Sequence, residues 1–187
     1  MDQKMKTNNE LVAYCLAQLG RPYWYGTFGQ RATEALYLNK KKAYPRYYVA
    51  NDFQKQYGQK VHDCIGLVKG FFWTDDANST EYHYCQGFPD VSADMQYDRS
   101  KRKGTSISTM PNLPGTLVFM KGHVGVYIGD GWVVEARGHA YGVVKTRLKD
   151  RKWNKWALID ELEYVTDKPK PEPEKPSTIT NQGCHYK

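Results

Sequence analysis

No stretch of this chain approaches the roughly 18 consecutive apolar residues that a membrane helix needs, and the mean hydropathy is −0.74. Membrane insertion is therefore not expected. The opening residues, Met1-Asp2-Gln3-Lys4-Met5-Lys6-Thr7-Asn8-Asn9, contain no apolar stretch of a secretory signal. A target outside the cell would then require another export route or a leader already removed. Cysteine is scarce, with 4 residues at positions 15, 64, 85 and 184, and no Cys-x-x-Cys occurs. That spacing argues against zinc knuckles and disulfide frameworks and fits reduced thiols. No metal and no cofactor are expected. Internal repeats and nucleic-acid-binding motifs are also missing. A nucleic acid partner is thus not expected, although the formal net charge is +7. The basic residues gather at Lys40-Lys41-Lys42, at Arg99 with Lys101-Arg102-Lys103, and from Arg147 to Lys155. Such clusters attract polyanions by long-range steering.

A chain of 187 residues suits one domain with a real core. Leu11, Val12, Cys15, Leu16 and Leu19 form a helical stripe that predicts a helix over 8–19. Asn8 or Asn9 would cap it, and Gly20 with Pro22 would stop it. Cys15 falls on its apolar face and reads as packing. Arg21-Pro22-Tyr23-Trp24-Tyr25-Gly26 reads as an aromatic turn. Residues 27–62 are rich in tyrosine and lysine without strong periodicity, with a short element near Leu36 and Leu38. Residues 64–73 read as a buried helix. Residues 74–112 read as a polar, irregular insertion of a length often tied to function. Then come a strand over 117–120, a hairpin over 123–137, a strand over 141–148 and a closing strand over 156–159. From Thr166 onward, Lys168-Pro169-Lys170-Pro171-Glu172-Pro173-Glu174-Lys175-Pro176 reads as a linker or disordered tail. The expected organisation is a catalytic domain over 1–165 and a tail over 166–187.

His62-Asp63-Cys64 precedes the apolar run Ile65-Gly66-Leu67-Val68. This places a thiol on the first turn of a helix, where the helix dipole favours a thiolate. Asp63 is the natural N-cap, and the Cys64 amide is free to meet a developing oxyanion. His123, in Gly122-His123-Val124-Gly125-Val126-Tyr127-Ile128-Gly129, is the matching base. Cysteine on a helix followed by histidine on a strand is the chain order of papain-like hydrolases. An orienting group follows from hairpin register. A two-residue Asp130-Gly131 turn would put Glu135 on the face opposite His123. A three-residue Gly129-Asp130-Gly131 loop, with glycine in the left-handed last position, would set Glu135 opposite Gly125 and diagonal to His123. The second register is expected, with Glu135 on one ring nitrogen of His123 and Cys64 at the other.

Four segments in this order resemble the NlpC-type cell-wall cysteine peptidases. They are Leu19-Gly20-Arg21-Pro22-Tyr23-Trp24-Tyr25-Gly26, Asp63-Cys64-Ile65-Gly66-Leu67-Val68, Pro114-Gly115-Thr116-Leu117-Val118-Phe119 and the histidine motif at 122–129. The resemblance spans roughly residues 11–160. It implies a papain-like α+β fold, with N-terminal helices, the nucleophile helix among them, packed on a central antiparallel sheet. It implies hydrolysis of peptide bonds in bacterial peptidoglycan, with Cys64 as nucleophile, His123 as base and Glu135 where the family commonly carries histidine, asparagine or glutamine. By the same resemblance Tyr23 stands near the oxyanion, and Asp63 matches a residue that contacts the free amine of the stem peptide in some members. The serine that helps hold that amine is Ile65 here, which favours an intact wall strand as substrate. The insertions at 27–62 and 74–112 are expected to shape the groove. The stretch from Val133 to Thr146 resembles phage or prophage lysins, which fits a monomer made in the cytoplasm and released to the wall through a pore. Two alternatives stay open: an N-acetylmuramoyl-L-alanine amidase or other thiol amidase or acyltransferase on the same fold, and a non-catalytic wall-binding module.

Overall fold

The computed structural model describes residues 5–166. The tail reading for 166–187 therefore falls, beyond Thr166, outside the described residues. Among the described residues there are four α-helices: α1 (Asn8–Ala17), α2 (Glu34–Ala43), α3 (Gly66–Trp73) and α4 (Ala93–Arg99). Its strands are β1 (Phe28–Arg31), β2 (Lys60–His62), β3 (Lys103–Gly104), β4 (Leu117–Met120), β5 (His123–Gly129), β6 (Trp132–Ala136), β7 (Val143–Arg147) and β8 (Lys155–Ala157). Six of these form one antiparallel sheet in the order β3-β8-β4-β5-β6-β7, while β1 and β2 pair separately. No helix among the described residues is long and apolar enough to cross a membrane.

Helix α1 starts at a different cap from the expected one. Thr7 is the N-cap, in a reciprocal capping box with Glu10. Asn8 is engaged elsewhere. Its fully buried amide donates to the carbonyls of Pro114 and Val165 and accepts from the Val165 amide, tying the helix to the far end of the domain. Cys15 is fully buried in the core, as its place on the apolar stripe implies.

All eight residues of α3 are buried. Leu67, Val68 and Phe71 pack with Leu11 of α1 and with Leu117, Phe119, Val124, Val126 and Val134 of the sheet. The helix can pass this close because it carries glycine where its neighbours are nearest. A β-carbon at Gly66 would overlap the Thr27 carbonyl oxygen, and one at Gly70 would run into the Tyr14 hydroxyl. On the opposite sheet face a smaller cluster forms from Val118, Tyr127, Val133 and Trp153.

The tyrosine-rich stretch before α3 is more ordered than its lack of periodicity suggests. It holds β1, α2 and two 3-10 turns around a satellite core of Trp24, Ala32, Tyr48, Phe53 and Val61. Trp24 is fully buried and meets Tyr37, Tyr48, Phe53 and Tyr57 edge-on. Aromatic edge-to-face packing needs no 3.6- or 2-residue repeat, which is why periodicity misses it. The insertion at 74–112 likewise contains α4, started by the Ser92 side chain accepting from the Met95 amide.

Gly66→Ala is expected to destabilise the fold by about 3 kcal/mol, the upper end for overpacking, since the overlap is with backbone that cannot swing aside. Denaturant unfolding followed by circular dichroism measures this.

Candidate active site

The helix that carries the cysteine begins with a turn tied down by Asp63. The Asp63 carbonyl accepts from the Leu67 amide, and its side chain accepts from the Gly66 amide at 2.6 Å. The regular helix begins at Gly66 with Ile65 in the N-cap position, so Asp63, the expected N-cap, instead ties down the turn that leads into the helix. The second carboxylate oxygen accepts from the Gly26 amide at 2.9 Å. The aromatic turn is thereby fastened to the start of the cysteine helix. A β-carbon at Gly26, where φ is +78°, would also strike the Tyr44 ring. Tyr23 bridges the backbone of His62 and packs against the core beside Cys64. Burial, and then the nearby Cys64 and Asp63, raise its phenol pKa.

Cys64 is half-buried, and its sulfur faces the amides of Val124, Ile65 and its own residue. Val124 follows His123 directly, so the thiol meets the start of β5. Burial pushes the thiol up to about 12, and the Asp63 charge adds to this, against the pull of the three amides. The sequence expectation of a thiolate favoured by the helix start is corrected here. The amides act in the expected direction, but desolvation and an adjacent carboxylate outweigh them.

His123 opens β5 and is paired with Met120 of β4. Its ring stacks on Trp153, with centroids 5.5 Å apart and planes 14° apart. Its Nε2 donates to Oε2 of Glu135 at 2.7 Å, since an ionised carboxylate only accepts. Nδ1 is then the ring nitrogen turned away from Glu135.

The expected juxtaposition of His123 and Glu135 is present, but the hairpin reaches it by another route. The turn has two residues, Asp130 and Gly131, both at positive φ (51° and 75°). Gly129 pairs with Trp132, yet Tyr127 pairs with Val133, so the register slips by one at Ile128. A β-bulge, not a third loop residue, supplies the shift. Beyond it Val126 faces Val134, and continuing that register sets Glu135 across from Gly125.

Glu135 is fully buried. Oε1 accepts from Thr146 Oγ1 at 2.8 Å and from Arg151 Nε at 2.8 Å, and Oε2 also accepts from Arg151 Nη2 at 2.9 Å. Burial alone would raise its carboxyl pKa, but the hydrogen bonds from His123, Arg151 and Thr146 outweigh it and hold the group at about 2. Thr146, Arg151 and Trp153 were not singled out from sequence. Thr146 carries a usable signal, because it lies two residues from Val144, which pairs with Glu135, and so shares its face. Arg151 and Trp153 lie in an irregular segment and carry none.

A groove of about 530 Å³ opens beside Cys64. The first insertion supplies Lys40 and Tyr44 to its wall, and the second supplies Tyr84 and Asp90. Lys69 of α3 holds that second wall through Asp90 at 2.5 Å, and Asp90 also accepts from the Tyr84 hydroxyl at 2.6 Å.

With this geometry in view, the comparison with known proteins is direct. The model of the NlpC/P60 family matches residues 20–161, well over half of the chain. The chain belongs to the NlpC/P60 family. The match runs from Gly20, just before the aromatic turn, to Glu161, beyond the closing strand, and so contains Cys64, His123 and Glu135. No curated protein matches the chain. Among solved structures it is similar to NlpC1 from Trichomonas vaginalis, with 14% identity and a TM-score of 0.50 over 85% of this chain and 46% of that one. It is also similar to the peptidoglycan hydrolase RipB from Mycobacterium tuberculosis, with 21% identity and a TM-score of 0.47 over 84% of this chain and 67% of that one. The P60 domain of the M. avium subspecies paratuberculosis antigen MAP1204 gives 21% identity and a TM-score of 0.48 over 84% and 98%. The chain spans about half the length of the two T. vaginalis chains it resembles, 48% and 46%. The NlpC/P60 membership fits the α+β architecture, with α1, α3 and α4 packed on one face of an antiparallel sheet.

Glu135 has a folded pKa depressed below its ordinary value. Its contribution to stability is therefore present above about pH 4.5 and is lost as pH falls toward about 2, a loss on the order of 3 kcal/mol. Glu135→Gln is expected to flatten this acid slope, as measured by thermal unfolding between pH 2 and 6.

Proposed function

We propose that this NlpC/P60 protein is a peptidoglycan-cleaving cysteine peptidase, with Cys64 as nucleophile, His123 as base and Glu135 as the group that orients the base. The observation that carries the reading is the His123–Glu135 pair. Its 2.7 Å hydrogen bond fixes Nε2 and leaves Nδ1 at the strand start, where the next amide meets the Cys64 sulfur.

The thiol is held protonated by burial, so proton transfer to His123 accompanies attack. The sulfur adds to the amide carbonyl carbon as Nδ1 takes the thiol proton. The oxyanion develops towards the Cys64 amide and Tyr23. The imidazolium returns its proton to the leaving amine, and the carbon–nitrogen bond breaks to give a thioester. Water, deprotonated by His123, then releases the acyl group. Glu135 stays ionised throughout and stabilises the imidazolium.

The substrate reading rests on the family and on the motif resemblance. RipB, one of the similar structures, is described as a peptidoglycan hydrolase. Asp63 commits both carboxylate oxygens to backbone amides, and Ile65 offers no hydroxyl. A free stem-peptide amine has little to hold it, which favours peptide still attached to the wall. The finer reading is of a phage or prophage lysin, monomeric and reaching the wall through a membrane pore. It rests on the stretch from Val133 to Thr146.

Purified protein is expected to clear suspensions of Gram-positive walls and to release peptide-bond fragments identifiable by mass spectrometry. Cys64→Ala and His123→Ala should each lower the rate at least about 1,000-fold, and Glu135→Gln about 10- to 100-fold. Clearing by Cys64→Ala at the wild-type rate would remove the nucleophile assignment. Wall binding without any cleavage would favour a binding module, and untouched muropeptides beside turnover of a small amide would favour acyl transfer.

A further inference from the structure

We propose that Arg151 is a positioning residue of this site: its guanidinium fixes the tilt of the Glu135 carboxylate, offsets its charge, and so holds the direction in which Glu135 accepts from His123. The inference rests on the catalytic reading above and adds a residue that lies outside the four segments that resemble the family. The family resemblance puts a histidine, asparagine or glutamine at the Glu135 position. Any of these can be neutral and needs no counter-ion. A carboxylate in a fully buried position does.

The geometry meets that need in a specific way. Arg151 approaches along the carboxylate edge with Nε on Oε1 at 2.8 Å and Nη2 on Oε2 at 2.9 Å, a two-pronged match of planar groups. Oε2 is the same oxygen that accepts from His123. Thr146 completes the set on Oε1. With both prongs engaged, the carboxylate cannot rotate about its last bond without breaking two charged hydrogen bonds, so the acceptor for His123 keeps one direction. The guanidinium also lies over the Trp153 ring, at 5.7 Å, and that ring stacks on His123. Arg151 thus controls both groups that hold the imidazole.

The test is an NMR measurement of the His123 ring N–H signal in the intact, wall-free protein, assigned from its absence in H123Q. With Glu135 held in one direction, the Nε2–H proton is expected as a sharp signal that exchanges slowly with water. Arg151→Met and Arg151→Gln should speed that exchange at least about 10-fold, and Arg151→Lys, which keeps the charge but not the planar fork, should recover only part of the protection. The glutamine variant retains a hydrogen-bond donor for Glu135, so it serves where the methionine variant does not fold. A signal as protected in the folded neutral variants as in wild type would overturn the proposal, as would a lysine variant that restores full protection. The measurement needs no substrate. A protein that leaves peptidoglycan untouched would defeat the functional reading without altering this answer.

Discussion

A buried carboxylate organises this molecule. Glu135 lies on the sheet face away from α1 and α3, fully enclosed, and an isolated charge there would cost several kcal/mol. Its four hydrogen bonds come from three places: the start of β5, the end of β7 and the irregular segment after it. Those contacts draw residues 148–153 across the sheet. Trp153 is carried with them to form the wall against which His123 stacks. The second hydrophobic cluster, Val118, Tyr127, Val133 and Trp153, serves the same end, because it keeps water from the carboxylate and strengthens each bond to it. The imidazole is thus held by electrostatics on one side and by a flat apolar surface on the other.

The other half of the site is fixed by a second carboxylate with a different task. Asp63 joins two backbone amides from separate segments, Gly26 and Gly66. It draws the aromatic turn onto the helix start, at positions where only glycine leaves room. From there each insertion extends outward as a wall of the groove. The first is supported by its own aromatic core around Trp24, and the second is anchored to α3 through Lys69 and Asp90. Both walls are therefore referenced to the cysteine helix, and the distance between them inherits that helix's rigidity.

Much of this was legible in the sequence, for reasons that can be stated. Cys64 stands just ahead of an apolar helix, His123 and Glu135 sit on regular strands, and parity brings those two to one face once the bulge at Ile128 has set the register. The Asp63 bond to the Gly66 amide is a local preference realised within three residues, although the helix proper starts later than expected. What escaped reading was non-local or aperiodic. Thr7 caps α1 in place of Asn8 because Asn8 is claimed by Pro114 and Val165, more than a hundred residues away. Helix α4 is only seven residues long, too short for a stripe to show. Arg151 lies in a loop where nothing marks one basic residue among several as the partner of a buried acid. The thiol's environment was read with the wrong sign because burial is a property of the assembled core, which no single segment displays.

The bulge at Ile128 shows how narrowly the arrangement is set. A strand presents alternate residues to alternate faces, so a register one residue out between β5 and β6 would turn β6 over. Glu135 would then point into the apolar core beneath α1 and α3, and Val134 would take its place beside His123. Loss of the bulged residue, with no longer turn to absorb it, is expected to take the acid out of the site while leaving every side chain of the site in the sequence.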